Sequence, residues 1–323
     1  MKPEKIQELE TAIQRDCPNV TGVVVRKNGG TVYEAYWNGA TARHAAHIFS
    51  CTKSVISALI GIAIHQGHIH GVDQRVLDFF PEYRVLPGET TVQEIAIRHL
   101  LTMTAPYKYD EEPYLEFFAS EDPIRAALDL LGGDKPIGEF HYSAIGGTHI
   151  LSGILARATG RSVLDFAAEY LFGPLGLYVP HDLPLRDEAE HIAVMNDPDT
   201  VGWAVDPQGN NTAGWGLFLR PEDMAKFGQL YLDGGRWDGR QILPPEWVRQ
   251  STRVHSRWGE LSYGYLWWVI DERGPVYAAM GDGGNVIYVD GQKGLVVAMA
   301  ARYAPNVEDR IDFIQTHIAP IFA

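Results

Sequence analysis

The chain has 323 residues, 46% of them hydrophobic, with 33 glycines and 19 prolines, which marks a folded globular protein and excludes disordered, collagenous and disulfide-stapled classes. Its 41 acidic against 27 basic side chains give a formal charge of −14, which repels phosphate backbones and anionic lipid, so neither nucleic acid nor membrane is expected among its partners. Cys17 and Cys51 make neither a disulfide framework nor a zinc pattern, and with no apolar signal core after Met1 the chain reads as cytoplasmic.

Ile6, Leu9 and Ile13 open the chain at helical spacing. Residues 20–37 then alternate apolar and polar, Val23-Val24-Val25 and Thr31-Val32-Tyr33, around Asn28-Gly29-Gly30, which is hairpin chemistry. From Ser50 the apolar positions Ile56, Leu59, Ile60, Ala63 and Ile64 recur at helical spacing and stop at Gly67, predicting a buried helix that starts at or near Ser50. The patterns from about 75 to about 250 are mostly helical, over 124–131, 144–159, 163–170, 221–232 and 245–250, with Pro/Gly loops between. Strand character returns at 265–269, 276–280, 285–289 and 295–300, and a last amphipathic helix runs through Ile311, Ile314 and Ile318. Short glycine-containing turns such as 290–294 favour antiparallel pairing. The expected fold is therefore mixed α/β: an antiparallel sheet flanked by helices, built from residues 1–75 and 255–323, with a mostly helical second domain at 76–254 and the active site between them.

The sharpest chemical pattern is Ser50-Cys51-Thr52-Lys53, a serine and a lysine one helical turn apart at the start of a buried helix. A serine hydroxyl becomes nucleophilic when a base takes its proton, and a lysine in a dry pocket can serve as that base. Backbone N–H groups at the helix start suit a developing oxyanion. Taken alone the pattern is weak, because an N-cap serine followed by a solvated lysine looks the same. His65, His68, His70 and Asp73 form the most metal-like cluster, yet their spacing matches no zinc site and imidazoles also belong at a helix C-terminus. Asp197 and Asp199 hint at a calcium loop, but Val201 and Gln208 occupy ligand positions. No phosphate-binding loop, dinucleotide fingerprint or GxSxG elbow occurs.

Phe49-Ser50-Cys51-Thr52-Lys53-Ser54, Arg98-His99-Leu100-Leu101-Thr102, His141-Tyr142-Ser143-Ala144 and Gly281-Asp282-Gly283-Gly284-Asn285 occur in a telling order. Residues 220–232, the Gly-Gly-Arg-Trp-Asp-Gly-Arg stretch after them and Tyr263-Gly264-Tyr265-Leu266-Trp267-Trp268 extend it over nearly the whole chain. This resembles the serine β-lactamase-related hydrolases, most of all the class C-like branch that holds class C β-lactamases, D-alanyl-D-alanine peptidases, family esterases and 6-aminohexanoate-dimer hydrolases. The resemblance implies a β-lactamase/transpeptidase-like fold, Ser50 as nucleophile, and Lys53 and Tyr142 as the proton carriers, with Tyr142 protonating the leaving group. It puts Ala144 where the family asparagine contacts an acyl amide, and Asp282-Gly283-Gly284 on the strand beside the site, with the N–H groups of Ser50 and Asn285 as oxyanion donors. An alanine at 144 and an acid at 282 disfavour β-lactams and other anionic substrates; Asp282 is alternatively a turn residue facing away. Trp215, Tyr107 and Tyr109 are candidates for the rim of the pocket, packing being the alternative role for each. The implied activity is acyl-enzyme hydrolysis of an ester or amide of a small molecule, with no cofactor and no metal. The alternatives are weak β-lactamase or penicillin-binding activity, or a non-catalytic binding protein on the same fold.

Overall fold

The computed structural model describes residues 3–185 and 188–322. Its centre is an eight-stranded sheet made of β1 (Val20–Lys27), β2 (Gly30–Tyr36), β3 (Ser256–Trp258), β4 (Leu261–Tyr263), β5 (Trp268–Asp271), β6 (Val276–Gly281), β7 (Asn285–Asp290) and β8 (Leu295–Ala301), in the order β2-β1-β8-β7-β6-β5-β4-β3. Every pairing is antiparallel. Strands from both ends of the chain therefore meet at the β1–β8 seam, as the alternation in the sequence predicts. The β1–β2 hairpin turns through Asn28 and Gly29, both at positive φ, the backbone that a tight hairpin needs and that Asn-Gly supplies at little cost.

Period-two alternation divides the sheet residues between two cores. Val23, Val25, Val286, Tyr288, Val297 and Met299 face one side, where α1 (Pro3–Asp16) and the helical segment 310–322 cover them with Leu9, Ile13, Ile314 and Ile318. Val24, Ile287, Val289, Val296 and Ala298 face the other side and join the larger core, which holds α2 (Cys51–His65), α3 (Gly146–Thr159) and α4 (Pro221–Leu232). Residues 51–63 of α2 are buried all round, the pattern of a central helix rather than an amphipathic surface one. Close packing sets its neighbours: a Cβ on Gly61 would run into the Trp247 indole. Helix α4, expected in the helical layer, packs directly on β1, β7 and β8, and a Cβ on Gly228 would meet Val296 and Ile287.

Two expectations are corrected. The strand predicted over 265–269 is half turn: residues 264–267 bridge β4 and β5, Leu266 sits at φ +61, and its N–H bonds to Leu101 O at 2.9 Å. A second, four-stranded sheet was not foreseen in the helical middle; it pairs Ala46–His47, Leu217–Leu219, Gly202–Val205 and Asp182–Pro184 in that order. Strands of two to four residues are too short to show an alternation in sequence. Among the described residues, no helix is long and apolar enough to cross a membrane.

Candidate active site

Ser50 sits at the N-cap of α2 in a helical backbone conformation, with no capping bond from its own side chain. The reading of Ser50 as an ordinary N-cap therefore fails on geometry. Its hydroxyl faces Lys53 instead, whose Nζ donates to Ser50 Oγ at 2.8 Å and to Gly214 O at 3.0 Å. Lys53 is 2% exposed, so it is not the solvated first-turn residue of the alternative reading either. Nζ thus has two oxygen partners, and the Tyr142 ring centroid lies 5.3 Å from it.

The chain is bent to present this serine. Phe49 is a non-glycine residue at φ +47, a left-handed conformation that costs roughly 1–3 kcal/mol and persists where surrounding contacts impose it. Its ring is wedged against His47 at 4.0 Å and Tyr303 at 5.8 Å between centroids. The N–H groups of Cys51, Thr52 and Lys53 turn back to Ile48 O, Phe49 O and Ser50 O. The Ser50 N–H takes no acceptor among the described residues, which leaves it available to an incoming oxygen.

Tyr142 is half-buried, its ring stacked 6.1 Å from Trp268. The adjoining Ala144 carbonyl abuts Gly214, where a Cβ would overlap it, so the segment that carries Tyr142 and the carbonyl that holds Lys53 are in van der Waals contact. Trp215 follows directly and is half-buried against His191 at 4.2 Å and Phe118 at 5.5 Å. Phe118 and His191 were not foreseen in this wall. They come from the short helices Tyr114–Phe118 and Glu188–Met195, whose sequences carry no motif.

The strand-side glycines differ from expectation. Gly281, at the end of β6, is the one that approaches Ser50, since a Cβ there would overlap Ile48 O and lie 3.1 Å from Ser50 N. Gly283 and Gly284 belong to a tight turn at φ +73 and +83, facing Arg302 and Tyr303 in one case and the Arg310 guanidinium in the other. Asn285 pairs with Gly281 from the neighbouring strand and is fully buried. Its amide donates to Asp282 O at 2.8 Å and to Ala301 O at 3.2 Å, and accepts from Ala301 N at 3.0 Å. Its side chain is thus a clamp for the hairpin, one strand removed from Gly281. The error came from reading the Gly-Gly pair as the strand when it is the turn. Asp282 is exposed, and its charge helps to raise both the Tyr114 hydroxyl, after burial, Glu112 and Tyr142, and the Cys51 thiol, after burial.

Tyr107 is not a rim residue. It is 3% exposed and lies under the first turn of α3, where a Cβ on Gly147 would collide with its hydroxyl; burial pushes that hydroxyl well above the usual range. Tyr109 stacks on it at 5.1 Å. The residue that sequence reading missed is Glu112, whose carboxylate gathers Ser143 Oγ and the N–H groups of Ala144, Ile145 and Gly146. His65, His68, His70 and Asp73 do not gather around a point: His68 packs on Phe166 and Asp73 pairs with Arg98. Among the described residues no group of three or more His, Cys, Asp or Glu is arranged to hold a metal.

The family model described as Beta-lactamase matches residues 7–319. The chain is 24% identical to the 6-aminohexanoate-dimer hydrolase of Paenarthrobacter ureafaciens, over 95% of this chain and 78% of that protein. Solved structures with the same fold include the octameric penicillin-binding protein homologue from Pyrococcus abyssi, with TM-score 0.71 and 21% identity over 96% of this chain and 76% of that one. The D-stereospecific amidohydrolase of a Streptomyces species has TM-score 0.71 and 17% identity, over 97% and 98% of the two chains.

Proposed function

The chain belongs to the beta-lactamase family, and from that footing we propose that it is a serine hydrolase that cleaves an ester or amide of a small molecule through an acyl-enzyme on Ser50. The observation that carries this reading is the 2.8 Å contact between the buried Lys53 Nζ and the Ser50 hydroxyl. Relatives named as a 6-aminohexanoate-dimer hydrolase and an amidohydrolase agree with it.

In the first half-reaction Ser50 Oγ forms a bond to the substrate carbonyl carbon as its proton passes to neutral Lys53. The carbonyl oxygen becomes an oxyanion beside the Ser50 N–H and the backbone at Gly281–Asp282, which replaces Asn285 as the strand-side donor in this reading. Tyr142 delivers a proton to the departing oxygen or nitrogen as the carbonyl–leaving-group bond breaks, and takes the serine proton from Lys53 in its place. Water then adds to the acyl-enzyme as one of its protons passes to the same pair, and the pair returns a proton to Ser50 Oγ as the acyl–oxygen bond breaks, releasing the acid and restoring Ser50.

Ala144 and Asp282 shape the substrate. Alanine cannot hydrogen-bond an acyl amide, and an exposed acid at the end of β6 repels carboxylates, so the preferred substrates are neutral or cationic. The site lies between the sheet and the helical middle of the chain, and two buried, unpaired cysteines support a reducing compartment. The test is mass mapping after exposure to a fluorophosphonate, together with hydrolysis of p-nitrophenyl acetate and butyrate. One adduct on Ser50, with labelling and turnover slowed by about 10³-fold or more in Lys53→Ala, is the expected result. Folded wild-type protein that takes no label and turns over neither ester overturns it in favour of a binding protein on the same fold.

A further inference from the structure

We propose that Glu112 is a positioning residue for this reaction, holding Tyr142 in register with Lys53 through the first turn of α3; the inference rests on the roles of Ser50 and Tyr142 given above.

Helix α3 cannot cap itself. The residue before it is Ile145, at φ −126 with no side-chain acceptor, and its first turn holds no acid. It opens on Gly146-Gly147, residues that resist a helical turn more than any other except proline. A start of this composition frays, and Tyr142 lies just before it.

Glu112 supplies the missing cap from a loop 32 residues upstream of Ala144. Its Oε2 accepts from Ala144 N at 2.7 Å and its Oε1 from Gly146 N at 2.7 Å, with Ile145 N reaching Oε1 at 3.2 Å and Oε2 at 3.3 Å. Ser143 completes the set by donating its hydroxyl to Oε1 at 2.9 Å while accepting from Gly147 N at 2.8 Å. The four N–H groups from 144 to 147 are thus satisfied, and a carboxylate sits where the helix dipole favours one.

The connection to the chemistry is a chain of contacts. The peptide pinned by Glu112 at Ala144 N presents its Ala144 carbonyl to Gly214, and Gly214 O is the acceptor that fixes Lys53 Nζ. Tyr142 is carried on one side of this segment and the lysine is registered on the other. Glu112 itself touches neither Ser50 nor Lys53; its oxygens are occupied by the peptide it holds.

This predicts a dependence on the leaving group that loss of stability alone does not produce. p-Nitrophenolate departs without a proton, whereas an alkoxide needs one from Tyr142. Glu112→Ala is expected to lower kcat/KM for an alkyl butyrate by about 10–100-fold, the cost of a catalytic group displaced by about 1 Å, and for p-nitrophenyl butyrate by only a few-fold. Glu112→Gln keeps the volume but turns an NH2 against backbone N–H donors, so it follows the alanine variant and decides the matter if that variant does not fold. Tyr142→Phe should show the same split, and adding Glu112→Gln to it should cost nothing more. Equal losses on both esters, no loss in folded variants, or additive losses in the double variant overturn the proposal. Absence of Ser50-dependent turnover in wild-type protein overturns the hydrolase reading itself and this inference with it.

Discussion

Replacing Gly281 by alanine isolates the contact that lets β6 reach Ser50. The Gly281 backbone is extended, φ −137 and ψ 156, so alanine brings no conformational strain and any effect must come from its methyl group. That methyl would overlap Ile48 O and lie 3.1 Å from Ser50 N and 3.2 Å from Cys51 N. All three are backbone atoms, which cannot rotate aside. Relief requires β6 and the start of α2 to part by on the order of 1 Å, a displacement worth about 10²-fold in rate when it falls on reacting groups. Overpacking of this kind also costs about 1–3 kcal/mol of stability. Gly283→Ala is the matched control. Its methyl meets Arg302 O at 2.7 Å and Tyr303 Cα at 3.1 Å and forces alanine to φ +73, a loss of about 1–3 kcal/mol, with no Ser50 atom among its three nearest neighbours. The assay is kcat/KM for p-nitrophenyl butyrate and the rate of fluorophosphonate labelling, each normalised to the folded fraction from urea titration. Gly281→Ala should be slow and folded, Gly283→Ala weakened but within a few-fold of wild type in rate. A fast Gly281→Ala protein, or a folded Gly283→Ala protein with an unreactive Ser50, refutes the reasoning.

Asn285→Ala removes three hydrogen bonds from a fully buried side chain and strands the Ala301 N–H and the Asp282 and Ala301 carbonyls; it should cost about 3 kcal/mol in urea unfolding, and a loss under about 1 kcal/mol would show that the clamp is dispensable. His47 is 2% exposed, and burial, with His191 adding to it, holds its ring well below the usual histidine range. The unfolded chain therefore takes up a proton that the native ring refuses, so the stability this group contributes is intact above about pH 6.5 and is lost below it, by about 1.4 kcal/mol per pH unit. Between about pH 7 and about pH 5 wild type should lose about 2 kcal/mol more than His47→Gln, and equal losses would count against a neutral buried ring. Ala144→Asn should restore an amide at the wall beside Tyr142 and raise labelling of Ser50 by a fluorescent penicillin about tenfold, the worth of one hydrogen bond; unchanged labelling would mean that Asp282 alone excludes β-lactams.

The sheet was legible because its strands alternate cleanly between two cores, as in Val23, Val24 and Val25 or Val296, Val297 and Ala298. α2 was legible because Ile56, Leu59, Ile60, Ala63 and Ile64 recur at helical spacing and the pattern stops at Gly67. Where local pattern and backbone diverge, the reading failed. Gly283-Gly284 looked like a strand cleared of side chains and is a turn, while the glycine that does the clearing, Gly281, opens the same motif two residues earlier. Tyr107 looked like a rim aromatic because it follows Leu100-Leu101-Thr102 closely, and only the collision with Gly147 places it under α3. Glu112 left no trace: its partners are backbone N–H groups, which every residue but proline offers, so no spacing rule could link it to Ala144. The small sheet failed for want of length.

Removing an amino group from water costs free energy, and that cost is offset only when its donors are met with good geometry. For Lys53 the partners come from three segments far apart in sequence: Ser50 one turn away, Gly214 O and the Tyr142 ring. Each is anchored by something other than the lysine. Ser50 is set by the left-handed Phe49 wedged between His47 and Tyr303, Gly214 by its contacts with the Ala144 carbonyl and Thr148 Oγ1, and Tyr142 by the capped start of α3. The lysine is thus held where these anchors already agree, and it contributes little to fixing them. Loosening an anchor should therefore change rate before it changes fold. Removal of the lysine should leave the scaffold standing around an unactivated serine.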